Sequence, residues 1–320
     1  MYLNRRALMI SLAAVGLGAP RAAHARGQIV GGNAFGSTWR TMAGPETDMS
    51  AVRSVTCDII ADIDATMSPY RATSDLALFN ASRRSDWQTL SASFCRVSQA
   101  ACDIAKLTHG AFDPTVGPIV GRFGFGPITG GSGDYHDIAV NGEMIKKATQ
   151  DLTLDLCGIA KGYALDRIVD EMLSLGVDAA LVEVGGEARC IGQHPDGRDW
   201  QVAIADPFAV AFQAYRIVAP RGRALATSGH AANGVFGPMA TSHIIAPPTA
   251  RPASTALASV SVLAPTGLDA DALATALCAV GPAAGIAMAR DLDIAALFIT
   301  DGSNAPPEVM TGGFPDHVLV

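Results

Sequence analysis

Six side chains in this sequence have types and spacings that could carry chemistry: Asp113, Asp155, Lys161, His243 and the pair Asp271/Thr275. Asp155 and Lys161 bracket a glycine-bounded corner, Gly158-Ile159-Ala160-Lys161-Gly162, where an acid and an ammonium meet backbone able to approach a ligand closely. A lysine in such a corner is equally often a solvated side chain, and the glycines can serve packing alone. Asp271 and Thr275 are four residues apart, so a helix would put both oxygens on one face. That pairing suits a hard divalent cation, although a threonine in an alanine-rich helix can also bond back to its own backbone. Asp113 sits in Gly-Ala-Phe-Asp-Pro-Thr-Val-Gly-Pro (110–118), and Pro114 excludes helical backbone at the acid, which is thus either a turn cap or a fixed polar group. His243 is a lone imidazole in a short β segment, either structural or a base.

The elements that must hold these groups follow from periodicity. Leu152, Leu154 and Leu156 alternate with polar residues and predict a strand that ends at Gly158. Leu165, Ile168, Val169, Met172 and Leu173 predict a helix closed by Gly176, and Leu181, Val182 and Val184 a second strand ending in Gly185-Gly186. Together these form a βαβ-like unit around the lysine corner. Further helices are predicted over 49–67, 74–80, 91–108 and 268–280, and strands over 224–228, 242–245 and 260–264. The glycine-rich residues 31–40 read as an opening loop into the first strand, 121–134 as a loop, and 193–197 as a turn within an antiparallel sheet. The corner lacks P-loop spacing, and no Gly-x-Gly-x-x-Gly follows a strand, so the two commonest nucleotide-binding corners are excluded.

The 320 residues are 49% hydrophobic and 17% charged, a composition that folds around a substantial core. A net charge of -7 without a basic run argues against nucleic acid as a partner. Residues 1–25 read as an export signal: Arg5-Arg6, an apolar run from Ala7 to Ala19, and Ala23-His24-Ala25 as a cleavage site before Arg26. The paired arginines suit the twin-arginine route, and a Sec signal remains an alternative. No later apolar stretch reaches the roughly 18 residues that span a bilayer. The expected product is a soluble periplasmic protein of residues 26–320 forming a single domain, with no lipobox cysteine and hence no lipid anchor. The six cysteines show neither a Cys-x-x-Cys pair nor zinc spacing, and most lie in apolar contexts that favour burial as thiols.

Taken in order, eight segments resemble the FAD:protein FMN transferases, the ApbE-like flavin transferase family. They are Phe-Gly-Ser-Thr-Trp at 35–39, residues 67–80, 110–118 and 155–166, Val-Glu-Val-Gly-Gly-Glu at 182–187, Ala-Thr-Ser-Gly at 226–229, His-Ile-Ile at 243–245, and residues 270–277. The resemblance spans nearly all of residues 26–320. It implies an α+β fold with mixed or antiparallel sheets, flanking helices and a central flavin cleft. It also implies a periplasmic, Mg²⁺-dependent reaction that splits the FAD diphosphate, joins FMN to a threonine hydroxyl of an acceptor protein, and releases AMP. By the same resemblance, flavin contacts fall on Phe35, Tyr70, Ala111, Phe112, Asp113, Asp155, Lys161 and Ile245. Mg²⁺ falls on the Gly158 carbonyl, Asp271 and Thr275, while His243 and Lys161 take catalytic roles. An exported, non-lipidated chain is similar to the NosX-like branch, whose acceptor is a membrane component of nitrous-oxide respiration.

The sequence departs from the family pattern in four places. Phe35 replaces a usual methionine, Ala246 an aspartate and Ala250 a glycine, and Ala-Thr-Ser-Gly runs into residues 230–237 without the customary tyrosine. Two other functions use the same features: an FAD diphosphatase with water as acceptor, and a periplasmic flavin-binding protein without catalysis.

Overall fold

The computed structural model describes residues 27–131, 133–230, 241–302 and 307–320. The export signal and its cleavage site lie outside these residues. Eight antiparallel strands form the main sheet, and their spatial order equals their chain order: Gln28–Ala34, Ser37–Ala43, Ala180–Val184, Glu187–Ile191, Ala224–Gly229, Leu257–Ala264, Ala295–Thr300 and Glu308–Thr311. Alternate residues on a strand face opposite sides, and here both sides are covered. Ala180, Val182 and Val184 pack in the core built by the helices, whereas Leu181 joins Ala188, Cys190, Leu225, Leu263 and Leu297 on the other face. That second face is covered by Trp200, Phe314 and the two-stranded ribbon of Val202–Ala205 and Ala214–Val218. The result is the α+β architecture with antiparallel sheets expected from sequence.

The helices are α1 (Met49–Met67), α2 (Asp75–Ala81), α3 (Ala92–Leu107), α4 (Gly117–Arg122), α5 (Ala160–Ser174), α6 (Gly267–Ala279) and α7 (Gly281–Asp291). Asp48, Ser74, Ser91 and Thr266 cap α1, α2, α3 and α6 by accepting first-turn N–H groups. None of the helices among the described residues is long and apolar enough to cross a membrane. All six cysteines are free thiols, four of them buried.

Three sequence expectations are corrected. The segment 242–245 is not a strand: only Ile245–Ala246 pairs, with Arg251–Pro252, and His243 and Ile244 form a bend before it. Residues 31–40 are a hairpin rather than an opening loop: strand Gln28–Ala34 returns through Phe35 (φ 51°) and Gly36 (φ 77°) into Ser37–Ala43. Two successive positive φ values give the turn whose twist matches paired strands. The run Leu152–Leu156 is not a strand, although its three leucines are buried; it makes only an isolated bridge from Leu152 to Gly131. Side chains satisfy its backbone instead. Asn80 both donates to the Leu154 carbonyl and accepts from its N–H, at 2.8 Å each, and the buried Lys147 ammonium donates to the carbonyls of Leu152 and Phe79 at 2.9 and 3.0 Å. The alternation was real, but its hydrogen-bond partners are not a neighbouring strand.

The contact that positions everything downstream is between α5 and α6. A Cβ on Gly162 would stand 2.1 Å from the Gly267 carbonyl oxygen, and one on Gly267 2.5 Å from the Gly162 oxygen. Backbone therefore meets backbone, which only glycine permits at both points. Gly162→Ala should force the helices apart and destabilise the protein by at least the ~1–3 kcal/mol of an overpacked core, read by urea unfolding. Gly44→Ala, where an added Cβ meets only Pro195 Cγ at 3.8 Å, should stay within about 0.5 kcal/mol of the parent.

Candidate active site

The α5 N-terminus has no capping side chain of its own: Ile159 precedes it and makes no cap. Its third N–H, that of Gly162, donates instead to Asp271 Oδ2 on α6 at 3.0 Å. In return Asp166 on α5 accepts from the first two N–H groups of α6, Gly267 (2.7 Å) and Leu268 (2.9 Å), while Arg189 Nη1 holds the same carboxylate at 2.7 Å. Each helix thus satisfies orphan donors of the other.

This crossing brings Lys161 to Asp271. Its Nζ lies 3.1 Å from Asp271 Oδ1 and 3.1 Å from Oε1 of Glu187, which begins strand Glu187–Ile191. Both carboxylate side chains are only 3% exposed and the lysine side chain 27%. Burial works against the ammonium charge, but Asp271 and Glu187 outweigh it and hold Lys161 protonated well above the usual lysine range. Burial pushes the Glu187 carboxyl up against the pull of Lys161, and the Asp271 charge adds to the push. Gly185, at φ 62°, leaves room for the lysine stem: a Cβ there would come within 3.1 Å of Lys161 Cδ.

One turn further along α6, Thr275 Oγ1 is 3.4 Å from Ser228 Oγ, with no bond back to its own helix among the described residues. Gly158 packs against it, since a Cβ on Gly158 would lie 3.1 Å from Thr275 Oγ1 and 3.2 Å from the Phe112 ring. No backbone N–H of the described residues bonds the Gly158 carbonyl; Gly162, which would ordinarily do so, is turned to Asp271. The corner therefore gathers a carbonyl, a carboxylate and a hydroxyl, an all-oxygen set that fits a hard cation such as Mg²⁺.

Of the other residues singled out in the sequence, Asp113 accepts from Thr115 N–H and Oγ1, both at 2.8 Å, and burial raises its carboxyl in spite of these bonds. Asp155 accepts from the Cys157 N–H at 2.9 Å, and its own N–H bonds the Pro114 carbonyl at 2.7 Å, which ties the Asp113 loop to the lysine corner. Ala111 and Phe112 are buried beside them. Phe35 is half-buried at the hairpin tip, Tyr70 is 72% exposed after α1, and Ile245 is buried in the short strand Ile245–Ala246. The His243 ring stands 6.2 Å from that of Phe125, and its Nδ1 has no partner among the described residues. Burial, then the charges of His230 and Lys161, push its pKa down to about 4, so the imidazole is neutral near pH 7. A cavity of about 790 Å³ has Ser242, the preceding residue, in its wall, together with Arg122, Phe123 and residues 249–255. Within that wall Ala250 adopts φ 51°, the region glycine prefers, where the family pattern has glycine.

Glu187, Asp166 and Ser228 were not assigned roles from sequence. The signal for Glu187 was an acid directly after Gly185-Gly186 at the start of an apolar strand, a position whose burial only the sheet reveals.

Comparison with known proteins agrees with this architecture. A protein of Vibrio cholerae named FAD:protein FMN transferase is 33% identical over 279 residues, covering 80% of this chain and 81% of the relative. One of the same name from Escherichia coli is 31% identical over 294 residues, covering 85% and 84%. The solved flavin transferase ApbE from Vibrio cholerae superposes with a TM-score of 0.80 at 30% identity, over 91% of this chain and 99% of that one. The apo flavinyl transferase ApbE of Pseudomonas stutzeri gives 0.81 at 29% identity, over 91% and 96%. The ApbE family description matches residues 35–298, from the tip of the first hairpin through both helices of the lysine corner, and the chain belongs to the ApbE family.

Proposed function

We propose that this protein transfers FMN from FAD to a threonine hydroxyl of an acceptor protein and releases AMP, with Mg²⁺ held by the Gly158 carbonyl, Asp271 and Thr275. The observation that carries the reading is the convergence, at one corner, of a protonated lysine with an all-oxygen set that includes a carbonyl without a hydrogen-bond partner among the described residues. In the transfer, the bond between the FMN phosphorus and the bridging oxygen breaks, and a new bond forms from the threonine oxygen to that phosphorus. The bridging oxygen leaves with AMP, and the threonine proton must be taken up. Mg²⁺ there would neutralise diphosphate charge as a Lewis acid.

Lys161 supplies a fixed positive charge toward the leaving bridging oxygen, and its ion pairs keep it protonated throughout the physiological range. His243, neutral and with an Nδ1 that has no partner among the described residues, is the group suited to receive the threonine proton. The half-buried Phe35, with Tyr70, Phe112 and Ile245, offers apolar surface to an isoalloxazine ring, and Asp113 and Asp155 offer polar anchors. Residues 1–25 support export to the periplasm; the intact mass of envelope-extracted protein should begin at Arg26.

Incubation of the mature chain with FAD, Mg²⁺ and an acceptor domain, followed by acceptor mass, tests the transfer. Release of FMN and AMP with no mass gain on any acceptor would favour the diphosphatase. Asp271→Asn keeps an oxygen for the Gly162 N–H but removes the charge, so the fold should survive while transfer falls at least about a hundredfold, given the several kcal/mol a Lewis-acid cation contributes. Wild-type rates at limiting Mg²⁺ would remove Asp271 from the metal set.

His243→Ala should lose about 10²- to 10⁴-fold in transfer with FAD affinity nearly unchanged. A base with its pKa pushed to about 4 loses function only as pH falls toward that value. The acid limb of kcat/KM should therefore lie well below the 6.5 of an ordinary histidine and vanish in His243→Ala; a limb at 6.5 would assign proton uptake elsewhere.

A further inference from the structure

Glu187 is a buried acid to which the reading above gives no task. Its carboxylate lies beside Lys161 at 3.1 Å through Oε1, and Oε2 is buried without a partner among the described residues. Two carboxylates against one ammonium, one of them half satisfied, is not an arrangement that stability requires, because an uncompensated buried charge is unfavourable. It has a use if Asp271 must serve two cations. Asp271 already accepts from the Gly162 N–H and from Lys161. An ammonium whose only partner was Asp271 would compete with a divalent ion for the same oxygens and repel it at close range.

We propose that Glu187 is a positioning residue: it retains Lys161 from the sheet side, so that Asp271 on the helix side can be given to a divalent cation while the ammonium stays at the corner. The strand that carries Glu187 is suited to this. Arg189, two residues on and so on the same face, holds Asp166, the carboxylate that caps α6. One strand face thus steadies both the lysine and the helix bearing Asp271. This inference rests on the assignment of Asp271 to the metal.

The test uses the mature chain without FAD and Mn²⁺ as probe, with bound metal read by electron paramagnetic resonance and folding by thermal midpoint. Glu187→Gln should weaken Mn²⁺ binding about 10- to 100-fold, the effect typical of losing an outer-shell partner, at an unchanged or higher midpoint. Glu187→Asp should recover part of the affinity. In a Lys161→Met background the Glu187→Gln effect should shrink severalfold, because there is no longer an ammonium to retain. Wild-type affinity in Glu187→Gln overturns the proposal, as does a loss that merely tracks the midpoint, a full effect in the Lys161→Met background, or a parent chain that binds no Mn²⁺. Since no flavin or acceptor is present, failure of FMN transfer itself would show separately, in the acceptor-mass assay.

Discussion

Two helix N-termini in this protein are completed by each other. Asp271 of α6 takes the Gly162 N–H of α5, and Asp166 of α5 takes the Gly267 and Leu268 N–H groups of α6. The exchange is possible because Gly162 and Gly267 bring backbone against backbone where any Cβ would collide. Each cap is a modest interaction, typically ~1 kcal/mol, but the pair fixes the distance and rotation between the helices. The chain therefore cannot assemble its helix layer without delivering Asp271 to Lys161, and the acid proposed to hold the cation is a structural element before it is a chemical one.

The electrostatics of the corner follow from that geometry. Lys161 is in the first turn of α5, where the helix dipole is positive, so its neighbourhood favours anions. Asp271 from the helix layer and Glu187 from the sheet both answer this charge, and Gly185 opens the space through which the lysine stem passes. On the proposed reading, a diphosphate approaching the corner would meet an ammonium already held in place, with little side-chain ordering left to be done on binding.

The segment around His243 is built differently. His243 lies in a bend just before the short strand Ile245–Ala246, the turn after that strand carries Ala250 in a left-handed conformation, and no carboxylate stands at position 246 to orient the imidazole. The strain at Ala250 is of the order of 1–2 kcal/mol for a residue with a Cβ. Two of the four departures from the family pattern, Ala246 and Ala250, fall in this segment.

Local sequence determined much of this protein. Helix boundaries were legible because caps and stops are local: Ser74 and Ser91 open α2 and α3, and α1 spans the 49–67 read from its periodicity. The four-residue step from Asp271 to Thr275 placed both on one face, since a helix leaves no other choice. The antiparallel character of the second half followed from its turns. What sequence could not decide was who satisfies whom. Leu152–Leu156 alternates like a strand, yet Asn80 and Lys147, more distant in the chain or on another segment, occupy its backbone. Glu187, an acid after two glycines, carried no assigned role from sequence; the sheet buries it against Lys161. The mutual caps join residues about a hundred positions apart. Periodicity reports which face an element buries; the partner on that face is chosen by long-range packing, and only the tertiary structure names it.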